Sequence, residues 1–228
     1  MRWSRASEEE KTGATGPRAE GLPSLFARNR AWASAKTLVD AGFFSRLVGQ
    51  QRPRYFWIGC SDSRVPATEI VDLDPGEMFV HRNVANLAIA NDPNFAAALQ
   101  FAVEVLEVKH IIVVGHYGCG GIQAAMGPET HDAIESWLAP VRVLCRSHSH
   151  MATPGSDEAD DLCERNVVAQ VEALAVNPLV RGTWARRVEL TLHGWVYAIG
   201  DGLLQEICEP VRNAMACGHA VTSKASMP

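Results

Sequence analysis

Five residues with metal-binding or acid–base chemistry follow two apolar runs of the sequence. Cys60, Asp62 and Arg64 come directly after the first run, and His116 and Cys119 come directly after the second. Two thiolates, an imidazole and a carboxylate form a tetrahedral ligand set typical of Zn²⁺. If the two runs are neighbouring strands of one parallel sheet, their carboxyl ends meet at one ligand crevice. The residue types and their placement therefore predict a metal site.

Each of these residues has a simpler interpretation when it is taken alone. Cys60 would be a small buried hydrophobe, His116 a hydrogen-bonded core histidine, and Asp62 one partner of a surface ion pair. A phosphatase loop would need Arg six positions after its cysteine, and neither candidate cysteine has one. A structural zinc ribbon would need paired Cys-x2-Cys hairpins, which are absent from the sequence. The joint placement favours the metal site.

Strand-like and helix-like segments alternate along the chain, as the crevice requires. An alternating order predicts an α/β fold with a mainly parallel central β-sheet flanked by helices. Strands are predicted at 55–59, 78–81, 111–115 and 188–197, the last continuing as a hairpin beyond residue 202. Helices are predicted over 22–48 with a break near Gly42, from Asp92 to Leu106, and over 134–144 and 161–176, with a polar loop at 147–160.

The segment order predicts one domain with an extension at each end. Residues 1–21 are predicted to be a flexible tail and residues 22–50 an N-terminal helical arm. The α/β zinc catalytic core is predicted over 51–209, and a C-terminal tail over 210–228.

Composition excludes several classes of function. The 228 residues are 47% hydrophobic and carry a formal net charge of −5, too acidic for a protein that binds nucleic acid through its phosphates. No apolar run approaches the length of a membrane span. Six cysteines without a secretory signal predict reduced thiols or metal ligands in the cytoplasm. Acidic residues in 1–21 are atypical of a transit peptide, but organellar targeting by that segment stays open. Four cysteines are predicted to be packing or surface thiols: Cys145, Cys163, Cys208 and Cys217.

Four separated motifs, in order, resemble those of the β-class carbonic anhydrases. They are Cys60-Ser-Asp-Ser-Arg, the segment Phe79 to Asn86, the segment His116 to Gly121, and His193-Gly-Trp-Val-Tyr. The resemblance extends over roughly residues 22–209. It implies a zinc-dependent enzyme that reversibly hydrates CO₂ to bicarbonate and a proton.

The resemblance also assigns roles around the zinc ion. Cys60, His116 and Cys119 are implied to be ligands of one Zn²⁺ per chain, with water or Asp62 in the fourth position. Zinc-bound hydroxide is the implied nucleophile near or above neutral pH. Asp62 is implied to be the local base and Arg64 its partner. We expect the fourth metal position to stay open while Arg64 holds Asp62, and low pH to favour a closed form in which Asp62 is the fourth ligand.

Substrate contacts follow from the same resemblance. Gln51 and the backbone N–H of Gly120 are implied to donate to substrate oxygens, with Phe79 as an apolar wall. From the residues alone, Gln51 would be read as a turn residue. Phe101 stands where the family commonly has Tyr, so this chain lacks a hydroxyl at that position of the pocket.

A subgroup of the family carries a bicarbonate-binding regulatory site, and this chain has its three residues. They are Trp57, Arg82 and Tyr197. An arginine with aromatic N–H and O–H donors makes an anion cradle. The simpler interpretation is that the two aromatics belong to the core and that Arg82 forms a structural ion pair.

The family is built on homodimers that often pair into homotetramers. The helical arm agrees with this, because Trp32, Phe43 and Phe44 have nothing local to cover them all. Two other functions stay open at this stage. One is hydrolysis of COS or CS₂ on the same scaffold, and the other is a non-catalytic zinc-binding homologue. The intact Asp62 and Arg64 argue against the latter.

Overall fold

The computed structural model describes residues 22–129, 132–148 and 157–213. The predicted tails at 1–21 and beyond 213, the middle of the predicted 147–160 loop, and Cys217 lie outside these residues. The chain divides into two compact units, residues 1–49 and 50–228. The first unit contains α1 (Leu22–Val39) and α2 (Phe43–Leu47). The second contains β1 (Tyr55–Cys60), α3 (Ala67–Ile70), β2 (Met78–Asn83), a 3-10 turn (Val84–Asn86), α4 (Pro93–Gln100), a π turn (Phe101–Val105), β3 (His110–His116), α5 (Gly120–Met126), α6 (Ala133–His148), α7 (Glu158–Ala175), α8 (Pro178–Ala185), β4 (Thr191–Ala198) and β5 (Leu203–Val211).

One five-stranded sheet organises the second unit, in the order β2-β1-β3-β4-β5. β1 pairs in parallel with both β2 and β3, and β3 pairs in parallel with β4. Of the described strands only β5 is antiparallel, and it forms the predicted hairpin with β4. The α/β prediction is confirmed. β5 ends at Val211, two residues beyond the predicted end of the core.

Two hydrophobic layers cover the sheet because successive strand residues point to opposite faces. On one face, Phe56 and Ile58 of β1 join the large core under the longer helices, including Leu162 and Val167 of α7. On the other face, Trp57 belongs to a smaller cluster of five buried residues, which comprises Trp57, Val65, Ala67, Ile112 and Val114. The central strands are buried on both faces, which explains why they appear in the sequence as continuous apolar runs.

The prediction for the start of α4 is confirmed by its capping contacts. The Asp92 carboxylate accepts hydrogen bonds from the N–H groups of Asn94 and Phe95, and Pro93 occupies the first turn. α4 passes into the π turn at Phe101, which carries the chain on towards β3.

Three element boundaries differ from the predictions, and one helix was not predicted. α6 continues to His148 and α7 begins at Glu158, so the predicted loop is shorter at both ends. α8 was not predicted, although the Asn177 side chain accepts from Leu179 N–H and Pro178 follows, a recognisable helix start. β4 begins at Thr191 rather than at residue 188, because the preceding segment forms the turn that ends α8.

The first unit has an aromatic cluster of its own. The Trp32 ring packs edge-on against Phe43 and Phe44, with centroid separations of 6.5 and 5.6 Å. Phe43 is buried, so these three residues cover one another more than the sequence predicted. Much of α1 stays apolar and exposed, including Phe26. Among the described residues, no helix is both long and apolar enough to cross a membrane.

Candidate metal centre

The ends of β1 and β3 bring together the three residues that were predicted to bind a metal ion. Cys60 is the last residue of β1, His116 is the last residue of β3, and Cys119 caps α5 directly after the β3 loop. Because β1 and β3 are adjacent parallel strands, their carboxyl ends lie at the same edge of the sheet. The two sulfurs and a histidine nitrogen lie within 4.8 Å of one another, and all three residues are buried.

His116 is oriented with one nitrogen towards the sulfurs. Its Nδ1–H donates to the Tyr117 carbonyl at 3.1 Å, which fixes the tautomer and leaves a lone pair on Nε2. Nε2 is fully buried and has no hydrogen-bond partner in the part of the chain that the structure describes. A buried polar nitrogen normally has a partner. This one is placed to bind a cation between the sulfurs.

Backbone N–H groups donate hydrogen bonds to both sulfurs. The N–H groups of Asp62 and Ala85 donate to the Cys60 sulfur, and those of Gly121 and Ile122 donate to the Cys119 sulfur. Without a cation, the contact between the two sulfurs lowers the pKa of Cys60 and raises that of Cys119, because one thiolate accepts from the other thiol. A divalent cation removes that conflict by stabilising both thiolates.

The dimensions of the group fit a tetrahedral metal ion. The Cys60 and Cys119 sulfurs are 3.8 Å apart. Two sulfurs at about 2.3 Å from a tetrahedral zinc ion are separated by about 3.8 Å, so no rearrangement of the sulfurs is needed. The donor set of two thiolates and one imidazole leaves one position for another ligand.

Asp62 and Arg64 form a two-point ion pair at the mouth of the site. Arg64 Nε donates to Asp62 Oδ1 at 3.0 Å, and a terminal guanidinium nitrogen donates to Oδ2 at 2.7 Å. The same guanidinium reaches the Gly118 carbonyl at 3.3 Å. Hydrogen bonding from Arg64 holds the pKa of Asp62 well below its usual range. Asp62 Oδ2 nevertheless lies only 3.8 Å from His116 Nε2, so the carboxylate borders the metal position.

Arg82 forms hydrogen bonds to the end of β1, which carries Cys60. Its Nε donates to the Cys60 carbonyl at 2.8 Å, and its guanidinium also donates to the Asp62 carbonyl. The residue opposite Arg82 in the β1–β2 register is Gly59. Any displacement of Arg82 would therefore act directly on the backbone of the metal loop.

Trp57 and Tyr197 lie in the smaller hydrophobic cluster, on the sheet face that carries α3. Trp57 is fully buried, yet its Nε1–H has no partner among the described residues. A Cβ added at Gly59 would lie 2.2 Å from that nitrogen, so glycine is required there. Tyr197 is half-buried, and its carbonyl accepts from Tyr117 N–H.

Four residues were predicted to contact the substrate. Within a single chain, only Gly120 of these four lies at the metal site. Gly120 follows Cys119, and a Cβ added to it would meet open space. Phe79 and Phe101 pack together with centroids 5.8 Å apart, but Phe79 lies at the amino end of β2. Four residues of strand, roughly 13 Å, separate it from the sheet edge that carries the metal site. Gln51 is exposed and precedes β1 at that same far edge.

Sequence reasoning missed the contribution of α7. Cys163, expected to be a packing or surface thiol, is buried and donates its S–H to the His116 carbonyl at 3.2 Å. Tyr117 donates its hydroxyl to Glu164 at 2.6 Å. Asn166 donates to the Ala85 carbonyl at 2.9 Å. Polar residues at helical spacing on an apolar face were the available signal.

Comparisons with known proteins agree with this geometry. A family model described as carbonic anhydrase matches residues 55–204. A carbonic anhydrase of Emericella nidulans is 40% identical over 186 residues, which cover 80% of this chain and 82% of the relative. The β-carbonic anhydrase of Coccomyxa, solved with acetazolamide, superposes with a TM-score of 0.83 at 35% identity, covering 90% of this chain and 94% of that one.

A tetrameric β-carbonic anhydrase from Sordaria macrospora superposes with a TM-score of 0.79 at 35% identity. The match covers 83% of this chain and 98% of that one. The chain therefore belongs to the β-class carbonic anhydrase family and is a carbonic anhydrase, a lyase.

Proposed function

We propose that the chain reversibly hydrates CO₂ at a zinc ion held by Cys60, His116 and Cys119. The observation that carries this proposal is the buried Nε2 of His116, which has no hydrogen-bond partner among the described residues and lies beside two sulfurs 3.8 Å apart. When bound, zinc would act as a Lewis acid that lowers the pKa of a coordinated water, so that a nucleophile is available near neutral pH. The thiolates offset the charge of the ion, so we expect activity to rise above neutral pH.

Arg64 and Asp62 would control access to the metal. With Arg64 holding both carboxylate oxygens, Asp62 stays beside the fourth position without occupying it. The depressed pKa makes Asp62 a poor proton acceptor, so it acts best by accepting a hydrogen bond that orients the attacking oxygen. If Arg64 released it, the Asp62 carboxylate would be close enough to coordinate the metal and occupy the fourth position.

The test combines stopped-flow CO₂ hydration with metal analysis on the parent and on Asp62→Asn. We expect about one zinc per parent chain, and we expect Asp62→Asn to keep its zinc. Its rate should fall about 10- to 100-fold, the usual cost of losing a partner outside the metal ligands. COS and CS₂ are offered in parallel, since faster turnover of either would favour the alternative hydrolase. A folded, metal-free parent would refute the proposal.

The remaining substrate contacts would come from a second copy of the chain. Gln51, Phe79 and Phe101 lie at the sheet edge opposite their own metal site. The exposed apolar residues of α1 offer a surface for association, and one similar protein of known structure is tetrameric. We propose a homodimer or homotetramer in which each copy completes the CO₂ pocket of its neighbour.

Bicarbonate would also bind as a regulator near Trp57, Arg82 and Tyr197. Among the described residues the buried Trp57 N–H has no hydrogen-bond partner, and Arg82 is exposed, so an anion could reach it. An anion that draws Arg82 away would release the carbonyls of Cys60 and Asp62, and with them the loop that bears the ion pair. The expected behaviour is sigmoidal inhibition by bicarbonate in the parent, lost in Arg82→Ala. Hyperbolic inhibition by bicarbonate in the parent would refute the proposed regulatory site.

The cysteine chemistry favours a reducing compartment, and we propose the cytoplasm as the location of the enzyme. The described cysteines are free thiols: Cys60, Cys119, Cys145, Cys163 and Cys208. Zinc binding through thiolates requires that the two ligand cysteines stay reduced.

A further inference from the structure

Helix α7 carries two buried polar side chains on its apolar face. Asn166 is 1% exposed and Gln170 is 8% exposed, one helical turn apart among Val167 and Val171. Burying an amide is costly unless its donors and acceptors are paired. Both amides are paired, and their partners lie in the loop that follows β2.

These hydrogen bonds form a chain with only one possible direction. Ala88 N–H donates to Gln170 Oε1 at 2.8 Å, Gln170 Nε2 donates to Asn166 Oδ1 at 3.0 Å, and Asn166 Nδ2 donates to the Ala85 carbonyl at 2.9 Å. The backbone supplies a donor at one end and an acceptor at the other. The orientation of both amides is therefore determined, and neither can flip without losing a contact.

Ala85 is held in an unusual conformation at the end of this chain. Its φ of 66° and ψ of 24° lie in the left-handed region, which is disfavoured for a residue with a Cβ. Its N–H donates to the Cys60 sulfur. Ala85 also packs against the segment of the second sulfur ligand, because a Cβ added at Gly121 would lie 3.1 Å from Ala85 Cβ.

We propose that Asn166, oriented by Gln170, is a positioning residue of the metal centre. It holds Ala85 in the left-handed conformation, and this conformation presents the Ala85 N–H to the Cys60 sulfur. The inference rests on the proposed zinc site, and adds to it a determinant more than 100 residues away in sequence from Cys60. Backbone donors to a thiolate orient it and balance its charge on the metal.

The test uses Asn166→Leu, which is similar in size but has no donor, and Gln170→Met, which removes the donor that orients Asn166 and the acceptor of Ala88 N–H. Leu174→Ala is the control, because it opens a cavity on the same helix but removes none of these hydrogen bonds. Zinc affinity is measured by competition with a chromophoric chelator. The sulfur-to-metal charge-transfer band of the cobalt-substituted protein is recorded, with the melting temperature of the metal-free protein as the measure of folding.

The expected result is a graded loss. Asn166→Leu should weaken zinc binding about 10- to 100-fold and shift the cobalt band. Gln170→Met should weaken it less, since Asn166 can still reach Ala85. Leu174→Ala should lower the melting temperature while zinc affinity and the cobalt band stay as in the parent.

A second variant tests the route through the backbone, while Gln170→Met keeps the test independent of how well Asn166→Leu folds. Glycine adopts positive φ freely, so Ala85→Gly added to Asn166→Leu should recover most of the lost zinc affinity. Failure to recover it, or equal zinc affinity in the parent and in both amide variants, would overturn the inference. A parent that binds no zinc would instead refute the proposed function.

Discussion

At the scale of single residues, Arg64 determines what Asp62 can do. The guanidinium engages both oxygens of the carboxylate, and the Arg64 backbone N–H adds a third bond to Oδ1 at 2.9 Å. These contacts lower the pKa of Asp62 and raise that of Arg64, so the pair stays charged across the pH range in which enzymes work. The carboxylate therefore responds to changes in geometry more than to protonation.

The ion pair predicts a particular pH dependence of stability in the metal-free protein. Asp62 has a lower pKa when folded than when unfolded, so its contribution is present above about pH 4 and is lost as the pH falls further. We expect Arg64→Gln to lower the free energy of unfolding at pH 7 by up to about 1 kcal/mol, a small effect because Arg64 is exposed.

Urea unfolding of the metal-free parent and of Arg64→Gln, measured from pH 7 to pH 3, checks this. The two curves should converge as the pH falls below about 4, where the unfolded-state carboxyl takes up its proton. A gap of constant size down to pH 3 would show that Arg64 stabilises the fold by some other contact.

The metal ligands could be predicted from sequence, but their supports could not. Cys60 and His116 each end a continuous apolar run, and strand ends are where parallel sheets place their ligands. The sequence shows Asn166 and Gln170 only as polar residues on an apolar helix face, without their partners. Their role depends on the backbone conformation of Ala85, which no local pattern around an alanine encodes.

At the scale of elements, two glycines let α7 approach the sheet behind the metal site. A Cβ at Gly115 would lie 2.7 Å from Val167 Cγ2 and 2.9 Å from the Cys163 sulfur. A Cβ at Gly194 would lie 3.0 Å from Val167 Cγ1. The close approach is what brings Cys163 within hydrogen-bonding distance of the His116 carbonyl.

Gly115→Ala should therefore disturb both the fold and the metal site. We expect a loss of about 1–3 kcal/mol in the free energy of unfolding, because the added methyl forces α7 outwards. Zinc affinity should fall as well, since His116 is the next residue. The matched control is Gly200→Ala, where a Cβ meets nothing within 4 Å.

Denaturant unfolding and chelator competition on both variants provide the measurement. Unchanged zinc affinity in a destabilised Gly115→Ala would mean that α7 supports the sheet without influencing the ligands.

Element prediction succeeded where burial is deepest. The strands and the cap of α4 were recognisable because continuous apolar runs and an Asp-Pro start each have a strong physical cause. α8 was missed although Asn177 and Pro178 form the same kind of start as Asp92 and Pro93. Its eight residues contain too short an apolar repeat to stand out in the sequence.

At the scale of the whole molecule, a single chain separates the two halves of the expected active site. The metal ligands lie at the carboxyl edge of the sheet, whereas Gln51, Phe79 and Phe101 lie at the amino edge. The sequence motifs identify both halves but contain no information about which copy of the chain supplies each. An assembly in which the amino edge of one copy lies against the carboxyl edge of its neighbour would bring the two halves of the active site together.

Subunit mixing tests this arrangement. Asp62→Asn damages the metal half of a site and Gln51→Ala damages the substrate half, so each homo-oligomer should be slow. In a mixed dimer, one site receives the intact Asp62 of one copy and the intact Gln51 of the other. Random pairing of equal amounts should restore about one quarter of the parental sites in the whole mixture, and about one half of the sites in the purified mixed dimers.

The measurement is CO₂ hydration by differently tagged variants that are co-expressed and purified through both tags, which isolates the mixed oligomers. Activity well above that of either variant alone supports exchange between copies. Activity equal to the mean of the two would mean that Gln51 serves the metal site of its own chain. The exposed apolar residues of α1 would then bury surface between copies without completing the pocket.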